Sequence, residues 1–289
     1  MQIGVTCGQR WLFDYPLGTP KFGKSFDCQL ICLLAQFHSQ SQVCFQVDEL
    51  NIVYQPLSMF PGWGGAPFFL ESLIEQYNCS HILEVGSGAN PTLAPAYVRD
   101  RGISCLTSDL EPQELEKADS AFERLVIDLS SPCVRSDLVG QFDCVFSRMV
   151  GEHVEDGRQF HKNIYNLLRR GGISVHCLST LWCLPFTANR FLPEFISARL
   201  LNSISPRDGH KHGKFPARYS WGRGPTNHMI HRFEELGFEV VNYTGYFGHH
   251  YYTNRFPLLH RAEMLKADLL LRWPMPHLCS YASIVLRKH

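Results

Sequence analysis

Hydrophobic and polar positions follow two periods along this chain, and the alternation between them organises the middle of the sequence. From Pro67 the run PFFLESLIEQY places Phe69, Leu70, Leu73, Ile74 and Tyr77 on one helical face, with Pro67 suited to the first turn. The short apolar run His81–Val85 reads as a strand and opens onto Gly-Ser-Gly. A helix is expected near Leu93, with Pro95 confined to its first turn, because a later proline would break it. Further strands are expected at 103–107, 124–127 and 142–146. Phe160, Ile164, Leu167 and Leu168 form a helical stripe that Gly171-Gly172 should stop, and 173–177 reads as the next strand. Short buried strands alternating with helices predict an α/β fold with a mostly parallel, doubly wound sheet.

The two ends of the chain read differently. Residues 43–47 and 50–54 fit either short strands or part of a cover, so residues 1–60 are taken as an N-terminal extension and 61–289 as the main domain. Within it, helical cap insertions are expected at about 179–225 and 245–278. A helix over about Asn227–Leu236 has Thr226 as its cap and Gly237 as its stop. A strand at 238–243, a long excursion and a strand at 281–286 predict a terminal hairpin on the parallel sheet.

Composition narrows the class. Of the 289 residues 45% are hydrophobic and 19% charged, which supplies a sizeable core and excludes wholesale disorder. Lys+Arg and Asp+Glu are both 27, so there is no basic excess of the kind a general nucleic-acid binder carries. The 11 cysteines are scattered through apolar runs and form no C-x-x-C pair, so they read as small buried hydrophobes in a reducing compartment. The first residues lack the order of a secretion signal, and no stretch is apolar enough for stable membrane insertion. A cytoplasmic location is expected.

Chemistry concentrates after the first core strand. Ile82-Leu83-Glu84-Val85-Gly86-Ser87-Gly88-Ala89-Asn90-Pro91 runs from a strand into a turn with alternate glycines, at the carboxyl edge where open α/β sheets bind ligands. Taken alone, such a turn serves tight packing as readily as a ligand. Asp109, 21 residues past Gly88, ends the next strand and can accept the ribose hydroxyls of a nucleoside. Asp128 ends the third strand in LVIDLSS. Either aspartate alone could merely cap a helix; their joint register with the glycine turn favours nucleoside binding.

These segments, with FDCVFSRMVGEHVED and LLRRGGISVH, resemble the class I S-adenosylmethionine-dependent methyltransferases, most closely those acting on small molecules. The resemblance covers about residues 60–180. It implies a Rossmann-like, seven-stranded sheet with an antiparallel last strand, and S-adenosylmethionine as cofactor. It places Glu84, Gly86, Ser87 and Gly88 at the amino-acid end of the cofactor, Asp109 and Leu110 at the ribose, Asp128 and Leu129 at the adenine, and Ser147 beneath the methionine part. Met149 to His153 would line the route to the methyl group. Asn90-Pro91 departs from the family, many of whose members carry a third glycine there. A nicotinamide-dependent oxidoreductase competes for the same turn, but it wants a glycine where Pro91 stands.

On the acceptor side, Glu152 and His153 follow the strand at 142–146, and His153 could take a proton; a structural role in a common segment competes with catalysis. The run Tyr246–Tyr252 includes His249 and Tyr251 and reads either as a catalytic, cation-stacking wall or as an aromatic lid. No third ligand joins His249-His250 by spacing, so no metal is expected. The segment 205–232 holds Arg207, Lys211, Lys214, Arg218, Arg223 and Arg232 with Asp208 as its one acid, and suits either an anionic group on the substrate or a solvated loop. Trp63 could cover the site or pack. Methyl transfer to a nitrogen or oxygen of a small metabolite, by a monomer or homodimer without nucleic acid, is therefore the leading expectation. Methylation of RNA or protein is the alternative.

Overall fold

The computed structural model describes residues 51–132, 135–183, 187, 217–253 and 256–289. The expected strand at 43–47, the cysteines at 7, 28, 32, 44 and 133, and Arg207, Asp208, Lys211 and Lys214 lie outside the described residues.

Eight strands form one sheet: β1 (Asn51–Pro56), β2 (His81–Val85), β3 (Ser104–Asp109), β4 (Glu123–Val126), β5 (Phe142–Arg148), β6 (Leu168–Ser179), β7 (Phe238–Phe247) and β8 (Tyr281–Lys288). Their order is β1-β7-β8-β6-β5-β2-β3-β4. Strands β2 to β6 run parallel, and β8 inserts antiparallel between β6 and β7. The described helices are α1 (Ala66–Gln76), α2 (Pro95–Asp100), α3 (Pro112–Leu115), α4 (Gly157–Leu167), α5 (Asn227–Glu234) and α6 (Pro257–Arg272). The doubly wound sheet and the terminal hairpin are as the patterning predicts.

The helices cover both sheet faces because β2 sends successive side chains to opposite sides. Leu83 and Val85 pack with Phe160, Ile164 and Leu167 of α4 and Met229, Ile230 and Phe233 of α5. Ile82 packs on the other face with Leu70, Leu73 and Ile74 of α1 and Val98 of α2. Pro95 stands in the first turn of α2, and the Thr226 side chain accepts from Met229 N at the start of α5. At the amino edge, the Asp143 carboxylate accepts from Ser80 N at 2.7 Å, His81 N at 3.0 Å and Ser80 Oγ at 2.9 Å, and Arg169 pairs with it.

Three boundaries differ from expectation. The sheet has eight strands, not seven: β1 adds to β7 in parallel, so residues 51–56 of the expected N-terminal extension belong to the sheet. Helix α4 stops at Leu167, ahead of Gly171-Gly172, because Leu168 already adopts extended backbone and pairs with Phe142. The glycines instead permit an irregularity within β6. The pairing jumps from Phe142↔Leu168 to Cys144↔Ile173, and a Cβ on Gly172 would stand 3.1 Å from the Phe142 and Asp143 carbonyl oxygens. Finally, β7 runs through Phe247, which takes the first residues of the expected second excursion into the sheet. The remainder of that excursion contains α6, whose Ala267 and Leu270 pack against Phe247 and Cys279.

Candidate active site

The carboxyl edge of the parallel strands gathers several of the predicted residues. Gly86 and Gly88 adopt φ of +70° and +52°, conformations that favour glycine. Gly86 N and Ser87 N donate to Ser108 O at 2.8 and 3.0 Å, which ties the turn to β3. A Cβ on Gly86 would lie 2.4 Å from Val150 Cγ2, so this turn lies directly against the segment that follows β5.

The Glu84 carboxylate faces inward. It accepts from Thr92 N at 2.9 Å and Thr92 Oγ1 at 2.6 Å, and burial pushes its pKa up to about 7. Its geometric work is to hold the far end of the turn, against Thr92, a residue the sequence pattern gave no reason to select. Gly88 and Asp109 lie side by side: a Cβ on Gly88 would stand 3.5 Å from Asp109 Oδ2, in ordinary contact. Asp109 is half-buried and its Oδ1 accepts from Glu111 N at 3.1 Å. The buried Ser87 Oγ has no hydrogen-bond partner. Positive-φ glycines, a carboxylate oxygen beside them and a buried hydroxyl fit a nucleoside-linked amino acid.

Other predicted residues are placed less directly. Strand β4 ends at Val126, so Asp128 lies two residues beyond it rather than at its end; it is exposed, and its Oδ1 accepts from Ser130 N at 2.8 Å. Leu110 is exposed, whereas Leu129 is buried in the core and its carbonyl accepts from Asn163 Nδ2 at 2.8 Å. Ser147 lies inside β5 rather than after it, in register with Val85. Its hydroxyl is buried and hydrogen-bonds His176 Nδ1 at 2.7 Å, and His176 Nε2 in turn meets Ser174 Oγ at 2.5 Å.

Past β5 the backbone turns sharply. Met149 has φ of +57° and donates to Cys177 O at 2.7 Å, and His153 N donates to Val150 O at 2.9 Å. This turn leaves His153 exposed and buries Glu152. Ser179 Oγ donates to Glu152 Oε1 at 3.1 Å, and the Tyr219 hydroxyl also hydrogen-bonds Ser179. Tyr251 hydrogen-bonds Tyr281, against which Phe60 (4.8 Å between ring centres) and Trp63 (5.0 Å) pack. The structure thus brings Glu152, Tyr251 and Trp63 into one neighbourhood. It adds Ser179, Tyr219 and Tyr281, which the sequence reading did not select. The antiparallel direction of β8 is the signal that could have found Tyr281, since it puts the start of that strand at the functional edge.

His249 is placed otherwise. It is fully buried, with Nε2 at 3.5 Å from Glu263 Oε2 of α6 and its ring 4.7 Å from Tyr252. Burial, and then the charge of Lys266, lowers its pKa to about 4, so it stays neutral behind the wall and Glu263 pairs instead with Lys266 at 2.7 Å.

A family model described as a methyltransferase domain matches residues 83–176, from the first core strand through His176 of β6. The chain carries a class I S-adenosylmethionine-dependent methyltransferase domain. No curated protein matches the chain. Among solved structures, this methyltransferase is similar to an S-adenosylmethionine-dependent methyltransferase from Mesorhizobium loti, at 16% identity over 72% of this chain and 90% of that one, with a TM-score of 0.41. It is also similar to phosphoethanolamine N-methyltransferase 2 of Haemonchus contortus, at 13% identity over 78% of this chain and 53% of that one, TM-score 0.45. A TehB-like methyltransferase from Corynebacterium glutamicum shows 18% identity over 73% and 80% of the two chains, TM-score 0.39.

Proposed function

We propose that this methyltransferase acts on a nitrogen or oxygen of an enclosed small-molecule metabolite. The observation that carries the reading is the burial of Glu152. It lies two residues from Val150, which touches the cofactor turn, yet is only 3% exposed, so a group that reaches it must leave bulk water. A folded macromolecule presents such a group less readily than a small metabolite does.

The cofactor, when bound, supplies an electrophilic methyl group on a sulfonium. The chain's own residues have simpler tasks. Gly86 and Gly88 let the backbone approach closely, and Asp109 offers a carboxylate oxygen to a ribose hydroxyl. Asp128 and the backbone at Leu129 frame the adenine end. Glu152, Tyr251 and the surrounding aromatic rings exclude water and orient the acceptor. His153, exposed at the mouth, passes protons to solvent. The proposed anionic group on the substrate would call for basic side chains; Arg207, Lys211 and Lys214 lie outside the described residues. Arg223 is engaged elsewhere: its Nη1 donates to Tyr219 O at 2.6 Å.

No described helix is long and apolar enough to cross a membrane. The described cysteines, six of them, are free and buried, in keeping with a reducing, cytoplasmic setting.

The test uses the full chain with methyl-labelled cofactor and three acceptor pools: metabolites, RNA and protein. Label in the metabolite pool supports the reading. Label confined to RNA or protein overturns it.

A further inference from the structure

Glu152 is a buried carboxyl group that no lysine or arginine pairs with among the described residues. Its Oε1 accepts from Ser179 Oγ at 3.1 Å, whereas Oε2 is buried and has no hydrogen-bond partner among the described residues. Taking a carboxylate out of water is strongly unfavourable unless a positive or donor group replaces the lost hydration. Among the described residues no lysine or arginine forms an ion pair with it; the base whose charge acts on it is the exposed His153.

The surroundings are built rather than accidental. The Glu152 carbonyl accepts from both Arg218 N at 2.7 Å and Tyr219 N at 2.8 Å. Tyr219 holds φ of +50°, an unusual conformation for a tyrosine, and its hydroxyl meets Ser179. The chain Tyr219–Ser179–Glu152, with the backbone amides of Ser179 and Glu152 that also act on the carboxylate, holds one side of the group and leaves Oε2 without a partner among the described residues. Tyr219 and Tyr281 are close enough for the Glu152 charge to act on both hydroxyls. Tyr251 and Trp63 extend this wall of aromatic rings. A carboxylate inside aromatic walls is a receptor for a cation that also carries a hydrogen-bond donor.

We propose that Glu152 anchors, and takes a proton from, a primary or secondary aliphatic amine, the methyl acceptor of this enzyme. The inference rests on the methyltransferase reading and names its substrate class. The ammonium donates an N–H to Glu152 Oε2, and that proton moves to the carboxylate. The nitrogen lone pair so freed forms the bond to the methyl carbon. The bond from that carbon to sulfur breaks, and its electron pair stays on sulfur. Charge balances: the positive charge of the sulfonium passes to the methylated nitrogen, and the carboxylate is restored when its proton leaves to water. Burial raises the Glu152 carboxyl from its ordinary value, the direction that suits a proton acceptor.

The test measures binding rather than turnover. The purified full chain, saturated with S-adenosylhomocysteine, is titrated with n-butylammonium chloride, n-butanol and sodium butyrate, followed by ligand-observed NMR. The ammonium should bind about tenfold or more tighter than the alcohol or the carboxylate. Glu152→Gln should erase that preference while calorimetry shows S-adenosylhomocysteine bound as in the wild type. If Glu152→Gln does not fold, Glu152→Asp, which withdraws the charge by one methylene, should shrink the preference by about threefold or more. Butanol or butyrate binding as tightly as the ammonium would overturn the proposal, as would a preference that survives in the folded variants. Failure of the wild type to bind S-adenosylhomocysteine would instead sink the methyltransferase reading itself.

Discussion

Replacing Gly86 with alanine should damage cofactor binding by two separable routes. At φ of +70° an alanine carries left-handed strain, about 1–2 kcal/mol. Its Cβ would also sit 2.4 Å from Val150 Cγ2, far inside the ~3.5–4.0 Å at which carbon atoms pack. Relieving such an overlap generally costs about 1–3 kcal/mol. The native turn is then penalised by roughly 2–5 kcal/mol, so Kd for S-adenosylhomocysteine should rise at least about thirtyfold. In the double variant Gly86→Ala/Val150→Ala the overlap is gone and the strain is not. Affinity should recover by about 1–3 kcal/mol and stop short of the wild type. Gly102 supplies the control: φ is +62° with nothing within 4 Å of a Cβ, so Gly102→Ala should lower stability by about 1–2 kcal/mol and leave affinity unchanged. Calorimetry with S-adenosylhomocysteine, paired with urea unfolding, reads all four proteins. Binding by Gly86→Ala within twofold of the wild type would refute the reasoning, and so would a double variant no better than the single.

Asp109→Ala should weaken S-adenosylhomocysteine by ~1–3 kcal/mol through lost charged hydrogen bonds, and an unchanged Kd would remove Asp109 from the ribose. Asp143→Ala should lower stability by about 2–3 kcal/mol, since it strips the amino-edge donors of Ser80 and His81, yet leave the Kd of the folded fraction intact. His161 is buried among Phe160, His176 and Trp221, and desolvation, then the neighbouring His176, holds its pKa well below the ordinary value. Below about pH 6.5 the unfolded chain binds a proton that the folded chain refuses, so this group makes stability fall with falling pH. Between pH 7.5 and 5 the wild type should lose about 2 kcal/mol relative to His161→Phe in urea unfolding; parallel curves would refute the assignment.

Much of the cofactor half was legible in the sequence, and its physics is local. The glycine turn follows its strand without a break, and Pro95 and Thr226 carry their own capping geometry in their side chains. What escaped depends on pairing between distant segments. No periodicity within residues 51–56 announces a partner at 242–247. Gly171-Gly172 resemble a helix stop, and only the approach of the Phe142 and Asp143 carbonyls shows why a strand needs them. His249 stood out as a titratable group in an aromatic run, but α6, arriving from later in the chain, buries it. Ser179 and Tyr281 are ordinary residues in apolar strands. They acquire meaning only when β6 and β8 pair antiparallel and bring them directly opposite one another.

The insertion of β8 between β6 and β7 also sets an order of birth. A nascent chain, emerging N-terminus first, has all four strands from β2 to β5 by Arg148, and with them the turn proposed to hold the nucleoside end. Asn51 must wait 191 residues for Asn242, and β7 joins the sheet only through β8 and β1. The aromatic cluster around Tyr281 is thus finished by the last of the described strands to arrive. On the proposed reading, the elements for the methyl donor are made before those for its recipient.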